Sequence, residues 1–305
     1  MEIRIATRKS ELALWQAEHI AKQLEALPDI TNVSLVPMST RGDEVLDKSL
    51  QKIGGKGLFI KELEIAMQAN EADIAVHSMK DVPAEMPDGF VIAAVLERAN
   101  PADALVSANG TGLAALPGGA IVGSSSLRRQ AQLLALRPDV RVAPLRGNVT
   151  TRLEKLDSGR FNAIILASAG LHRLGLESRI TQQFGPEQML PAAGQGVIGI
   201  ECLDTRSELR DLLAALDHRD TRLTTAAERA VALTLGADCQ SPVASFATIA
   251  KGTLTIDALV ASTNGKTIIR GRSTGPARDA ESIGAEVAQR LLLQGAAALL
   301  AEARS

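Results

Sequence analysis

Two short stretches of this chain gather the groups best suited to holding an anion. Gly123-Ser124-Ser125-Ser126-Leu127-Arg128-Arg129 and Leu145-Arg146-Gly147-Asn148-Val149-Thr150-Thr151-Arg152 each follow an apolar, β-prone run and open an amphipathic helical one. A helix N-terminus presents unpaired backbone N–H groups, and a guanidinium presents a planar fork matched to carboxylate or phosphate. The two stretches are therefore expected to converge on one anion. Arg8, Lys52, Lys56, Lys80 and Arg173 extend the cationic set, most of them in turns at strand or helix ends. Any one member alone is better read as a solvated surface charge. The shared position of the set favours a binding cleft.

The positive charge is local. The chain has 33 Lys and Arg against 35 Asp and Glu, a formal net charge of −2, so no basic face of the kind used by general nucleic-acid binders is expected. Five Phe, one Trp and no Tyr also leave no aromatic platform for stacking bases. Gly54-Gly55-Lys56-Gly57 lacks the spacing of a nucleotide phosphate loop and has Gly57 where a metal-binding hydroxyl belongs. It reads as a glycine hinge, with Lys56 still able to reach a ligand. Cys202 and Cys239 stand far apart and the histidines are scattered, so neither a disulfide nor a metal site is expected.

Two further residues carry alternatives. Asp81 follows Lys80 at a strand end. It is either a turn-forming or salt-bridged aspartate, or an ionised carboxylate able to stabilise a developing cation or accept an N–H bond. Cys239 lies in the loop Ala237-Asp238-Cys239-Gln240-Ser241-Pro242. A loop thiol is inert unless cationic surroundings lower its pKa, and Asp238 works against that. His77 and Cys202 read as packed strand residues.

The elements that must position these groups alternate in type. Ile3 to Ala6, Val33 to Met38, Ile74 to Val76, Ala120 to Val122, Val140 to Val142 and Phe161 to Ala167 read as strands. Helices follow, one with Ser10 as candidate N-cap and an apolar face of Ala13, Ala17, Ile20 and Leu24, another with Val149, Leu153 and Leu156 inward. This gives two α/β units of similar design, with polar residues at the carboxyl ends of strands, where open α/β sheets bind ligands. After Cys202 the pattern changes. Helices over 207–216 and 220–235 lead to strands Val243 to Ala250, Thr253 to Ser262 and Thr267 to Arg272, the last two joined by the hairpin signal Asn264-Gly265, then two terminal helices. No signal-peptide pattern opens the chain and no apolar run could span a bilayer, so a cytoplasmic protein without membrane contact is expected.

Ala6-Thr7-Arg8-Lys9-Ser10-Glu11-Leu12-Ala13, Thr40-Arg41-Gly42-Asp43, Gly54-Gly55-Lys56-Gly57-Leu58-Phe59, Val76-His77-Ser78-Met79-Lys80-Asp81-Val82-Pro83, Ser125 to Arg129, Leu145 to Val149, Pro191 to Gly196 and the Cys239 loop occur in this order. Together they resemble the motifs of the porphobilinogen deaminase (hydroxymethylbilane synthase) family over nearly the whole chain. The resemblance implies two periplasmic-binding-protein-like α/β domains plus a C-terminal α+β domain with a small antiparallel sheet. The implied boundaries are 1–97 with 197–216, 101–192, and 219–305. It implies a dipyrromethane cofactor joined by a thioether to Cys239. On that primer four porphobilinogen molecules would be condensed head to tail with loss of ammonia, and hydroxymethylbilane then released.

By the same resemblance Asp81, Arg8, Arg146 and Arg152 match catalytic or substrate-carboxylate residues, with Asp81 stabilising the azafulvene cation formed on deamination. Lys80, Ser126, Arg128 and Arg129 match contacts to the cofactor carboxylates. Ser10, Lys52, Lys56, Phe59, Arg173 and Gln195 match positions lining the cleft or its loop. Each pyrrole bears an acetate and a propionate, which gives the arginines a reason. The expected partner is the small substrate alone, with no nucleic acid, and the expected state is a monomer. The chain departs from the family in having Asp238 where Gly usually precedes the cysteine, Ser124 where many have Thr, and Ala102 where a polar or basic residue is frequent. The rival reading is a two-lobed anion-binding module without chemistry.

Overall fold

Alternation along Glu2–Arg8 (β1) turns Ile3 and Ile5 inward, and the chain then enters a helix, Glu11–Glu25 (α1), whose Ala17, Ile20 and Leu24 cover them. The structure, a computed structural model, describes residues 1–40, 60–238 and 240–304. Its chain divides into two compact units, Met1–Ala99 with Val197–Arg222, and Asn100–Gly196 with Leu223–Ser305.

The first unit holds β2 (Asn32–Met38), α2 (Lys61–Gln68), β3 (Ile74–Ser78), β4 (Phe90–Val95) and, from the returning chain, β10 (Ile198–Leu203) and α6 (Ser207–Leu213). Its sheet runs β2-β1-β3-β10-β4. β1 pairs parallel with β2 and β3, whereas β10 lies antiparallel between β3 and β4. Ile5, Ile74 and Ile200 pack with α1 and with Leu209 and Leu213 of α6. Ser10 stands at the N-cap of α1 as expected, without a side-chain capping bond.

The second unit begins with β5 (Asp103–Ser107), β6 (Ile121–Gly123), α3 (Leu127–Leu136), β7 (Arg141–Ala143), α4 (Val149–Asp157), β8 (Ala163–Ala167), α5 (Ser168–Arg173) and β9 (Gln182–Gln183). Their sheet runs β7-β6-β8-β5-β9, with β6 parallel to β7 and β8, and β5 antiparallel to β8 and β9. It repeats the topology of the first sheet. Both contain an antiparallel strand that local sequence does not announce, because an apolar run carries no direction.

The same unit carries α7 (Arg219–Thr234) from Leu223 onward, the meander β11 (Val243–Ala250), β12 (Thr253–Ala261) and β13 (Ile268–Pro276), and helices α8 (Ala280–Leu293) and α9 (Ala296–Arg304). Val231, Leu254, Ile256, Val260, Val287, Leu291 and Leu300 form their core. The hairpin at Asn264-Gly265 is present, and Gly265 (φ +70°) rests on α3, where a Cβ would run into the backbone of Ala131 and Ala135. α3 is thereby held from its far side while its first turn carries Arg128 and Arg129. Cys202 is fully buried in β10, which pushes its thiol up to about 11.

Candidate active site

In the first unit β3 ends at Ser78 and the chain turns at once through Met79–Asp81, one turn of 3-10 helix. Two features fix that turn. Met79 is buried and donates its N–H to Val197 O at 3.0 Å, and its side chain covers Gly199, where any Cβ would collide with the Met79 sulfur. Gln16 Nε2 holds Ser78 Oγ at 2.8 Å. The turn lifts Lys80 half out of the protein and leaves Asp81 exposed, its carboxylate making no hydrogen bond or ion pair among the described residues. Of the two structural readings of Asp81, the salt bridge finds no partner among the described residues. Arg8 closes β1 and Ser10 follows it, both half-buried.

In the second unit the loops after β6 and β7 are tied together, because Ser125 Oγ donates to Leu145 O and accepts from Leu145 N, each at 3.0 Å. This brings the serine loop and the Arg146 loop side by side, as the sequence implied. Ser126 caps α3, accepting from Arg129 N, and Asn148 caps α4, accepting from Thr151 N at 2.8 Å. Arg146 is half-buried and its guanidinium makes no hydrogen bond or ion pair among the described residues. Arg152 Nε donates to Gly147 O at 2.7 Å. Arg173 Nη2 donates to Gly196 O at 2.8 Å, and burial pushes its guanidinium down to about 10.

The forks of Arg128 and Arg129 do converge on an anion, and it is the chain's own Asp103. Arg128 Nη1 reaches Asp103 Oδ2 at 2.6 Å and Leu190 O at 2.8 Å, while its Nη2 reaches Oδ1 at 3.2 Å. Arg129 Nε reaches Oδ1 at 2.8 Å and its Nη1 reaches Ile165 O at 3.2 Å. Gln195 Nε2 adds 3.1 Å to Oδ1 and 2.6 Å to Pro101 O. Asp103 is wholly buried and both arginines nearly so. Burial alone would raise the Asp103 carboxyl, but the two arginine charges and the bonds from Arg128 and Gln195 outweigh it and hold it well below the usual carboxylate range. The cluster keeps one net positive charge. The Gly194-Gln195 backbone is fixed in turn by buried Glu228, which accepts from Gly194 N at 2.7 Å and from Ala247 N at 2.8 Å.

Asp103 and Glu228 escaped sequence reading, as did a second buried group in the first unit. His77 Nε2 lies 2.6 Å from Glu201 Oε2, both buried across the β3–β10 pair. Glu64 on α2 is also buried, and burial with the Glu201 charge pushes its carboxyl up to about 7. His77 is thus a packed strand histidine, as read. Lys52, Lys56, Phe59 and Cys239 lie outside the described residues. Asp238 accepts from Gln240 N and Ser241 Oγ, each at 2.9 Å, bonds that a glycine has no side chain to accept. No helix among the described residues is long and apolar enough to cross a membrane.

Residues 3–211 match the family model described as "Porphobilinogen deaminase, dipyromethane cofactor binding domain", and residues 222–293 match "Porphobilinogen deaminase, C-terminal domain". The porphobilinogen deaminase of Chromobacterium violaceum is 55% identical over 307 residues, 99% of each chain. Among solved structures, the VFT2 domain of Bordetella pertussis BvgS is similar over 70% of this chain and 84% of its own, at 14% identity and a TM-score of 0.43. The ytmK binding protein of Bacillus subtilis is similar over 71% and 90%, at 16% identity and a TM-score of 0.42.

Proposed function

The chain belongs to the porphobilinogen deaminase family, and from that premise we propose how its residues divide the reaction. The activity is that of a deaminating transferase which joins four porphobilinogen molecules head to tail on a covalent dipyrromethane primer, losing ammonia at each joining, and then releases hydroxymethylbilane. Membership over the whole length favours this activity over a binding module without chemistry.

The donor set suits a dipyrromethane. Lys80, Ser126, Arg128 and Arg129 offer N–H and O–H donors to acetate and propionate groups, and the arginine cluster retains a net positive charge after Asp103 is counted. When bound, that group supplies the nucleophilic pyrrole carbon at which growth begins. Cys239 is its thioether anchor. Arg8, Arg146 and Arg152 take the carboxylates of the incoming ring, a role to which the unengaged Arg146 guanidinium is suited. Ser10, Lys52, Lys56, Phe59, Arg173 and Gln195 are assigned to substrate contact on the family resemblance alone.

Asp81 carries the chemistry. An exposed carboxylate with no partner among the described residues, on a turn pinned by Met79, can accept a pyrrole N–H. It stabilises the cation left when the substrate's aminomethyl carbon loses ammonia. That unspent carboxylate is the single observation on which the assignment rests. The three domains are 1–97 with 197–216, 101–192 and 219–305, and the enzyme works as a cytoplasmic monomer without nucleic acid, which size-exclusion chromatography and cell fractionation test. Intact-protein mass spectrometry is the decisive measurement. The native protein should carry two linked pyrrole units that Cys239→Ser lacks, and an unmodified native mass would sink the proposal.

A further inference from the structure

Three residues that the family resemblance assigns to cofactor or cleft meet on a fourth that it does not mention. Arg128, Arg129 and Gln195 come from two separated segments, and each sends a donor to the Asp103 carboxylate. Asp103 opens β5 opposite Ala167, the last residue of β8, so its side chain stands at the carboxyl end of the parallel strands. A guanidinium is a rigid planar fork on a flexible stem, and an unheld stem has many rotamers to lose on binding. A carboxylate that grips two forks and an amide at once removes that freedom in advance.

We propose that Asp103 is the positioning residue for the carboxylate-binding groups of the cleft. It sets the directions of the Arg128 and Arg129 forks and of the Gln195 amide, and by cancelling one of two arginine charges it sets the net charge offered to the primer. The inference rests on the assignment of Arg128 and Arg129 to the primer carboxylates.

The test uses full-length apoprotein, purified from cells that make no porphobilinogen, in wild-type, Asp103→Glu, Asp103→Asn and Arg128→Gln forms. Primer loading after addition of porphobilinogen is followed by intact mass, normalised to the folded fraction from size exclusion and cooperative urea unfolding. Asp103→Glu keeps the charge but displaces the carboxylate by one methylene. Loading per folded molecule should slow on the order of 100-fold, the scale on which a misplacement of about 1 Å acts. Loading at the wild-type rate by Asp103→Glu overturns the inference, as does loading that falls only in step with the folded fraction. Failure of both Asp103 variants to fold also overturns it, because Asp103 then serves folding alone. Slow loading by Asp103→Glu beside normal loading by Arg128→Gln upholds Asp103, acting through Arg129 and Gln195, and removes Arg128 from the primer site.

Discussion

The two five-stranded sheets share one topology and use buried acid in opposite ways. In each, the antiparallel strand begins opposite the last residue of its parallel neighbour, Ile198 opposite Ser78 in the first unit and Asp103 opposite Ala167 in the second. The second sheet thus puts its buried carboxylate at the carboxyl end of its parallel strands, paired with two arginines. The first sheet leaves an apolar residue there and places Glu201 deeper, opposite Ala75, against His77. Just beyond that end β3 instead leads to an exposed carboxylate, Asp81. One scaffold therefore carries a buried arginine–aspartate cluster in one copy and an exposed carboxylate in the other, and on the proposed function these differ in chemistry though the fold repeats.

The contrast is sharpest in activity. Asp81→Ala should retain the primer mass yet lower kcat on the order of 100- to 1000-fold, the usual effect of deleting one group that stabilises a transition state. Near-normal turnover would reduce the exposed acid to a surface residue. Next in size, Asp103→Asn should lower unfolding free energy in urea by about 3–5 kcal/mol, since it strands two buried guanidinium groups. A loss of only a few tenths would mean that the second sheet does not depend on its acid. His77→Ala should cost less, about 1–3 kcal/mol, by leaving Glu201 without its buried partner.

The smallest effect has opposite signs in the two sheets. Glu64 is pushed up to about 7 from 4.5 by burial and Glu201, so the folded chain retains a proton that the unfolded chain releases. Its contribution to stability falls as pH rises between those values. Asp103 is held below its ordinary range, so its contribution is present at neutral pH and lost as acid protonates it. Urea midpoints at pH 5 and pH 8 should therefore converge in Glu64→Gln, with the gain at pH 8. An unchanged pH dependence would show that Glu64 does not titrate in this range.

Much of this was legible in the chain. The period of apolar residues gave β1 to β3, β6 to β8 and most helices, and the hairpin followed from Asn264-Gly265, whereas β4, β5, β9 and α5 were not expected. The antiparallel direction of β5 and β10 was not legible, because pairing partners far along the sequence decide it. Arg128 and Arg129 were found from their turn, but their engagement was hidden. Asp103 sits in Pro101-Ala102-Asp103-Ala104-Leu105-Val106, with no motif around it. Its one signal is an acid opening an otherwise apolar strand, a place where an unpaired charge would be costly. Asp238 departs from the family's glycine, and its meaning emerged only with the bonds it accepts from Gln240 and Ser241.

The place of β10 between β3 and β4 also fixes an order of assembly during synthesis. β4 is complete at Val95, yet the strand it pairs with begins only at Ile198. Until the ribosome has released β10, the first sheet stays split, with β3 and β4 showing unpaired edges. The five-stranded sheet of the second unit, complete by Gln183, can close first. Although the N-terminal residues emerge earliest, the turn bearing Asp81 acquires its anchor at Val197 late, so in a nascent chain Arg128 and Arg129 can meet Asp103 before that turn is set.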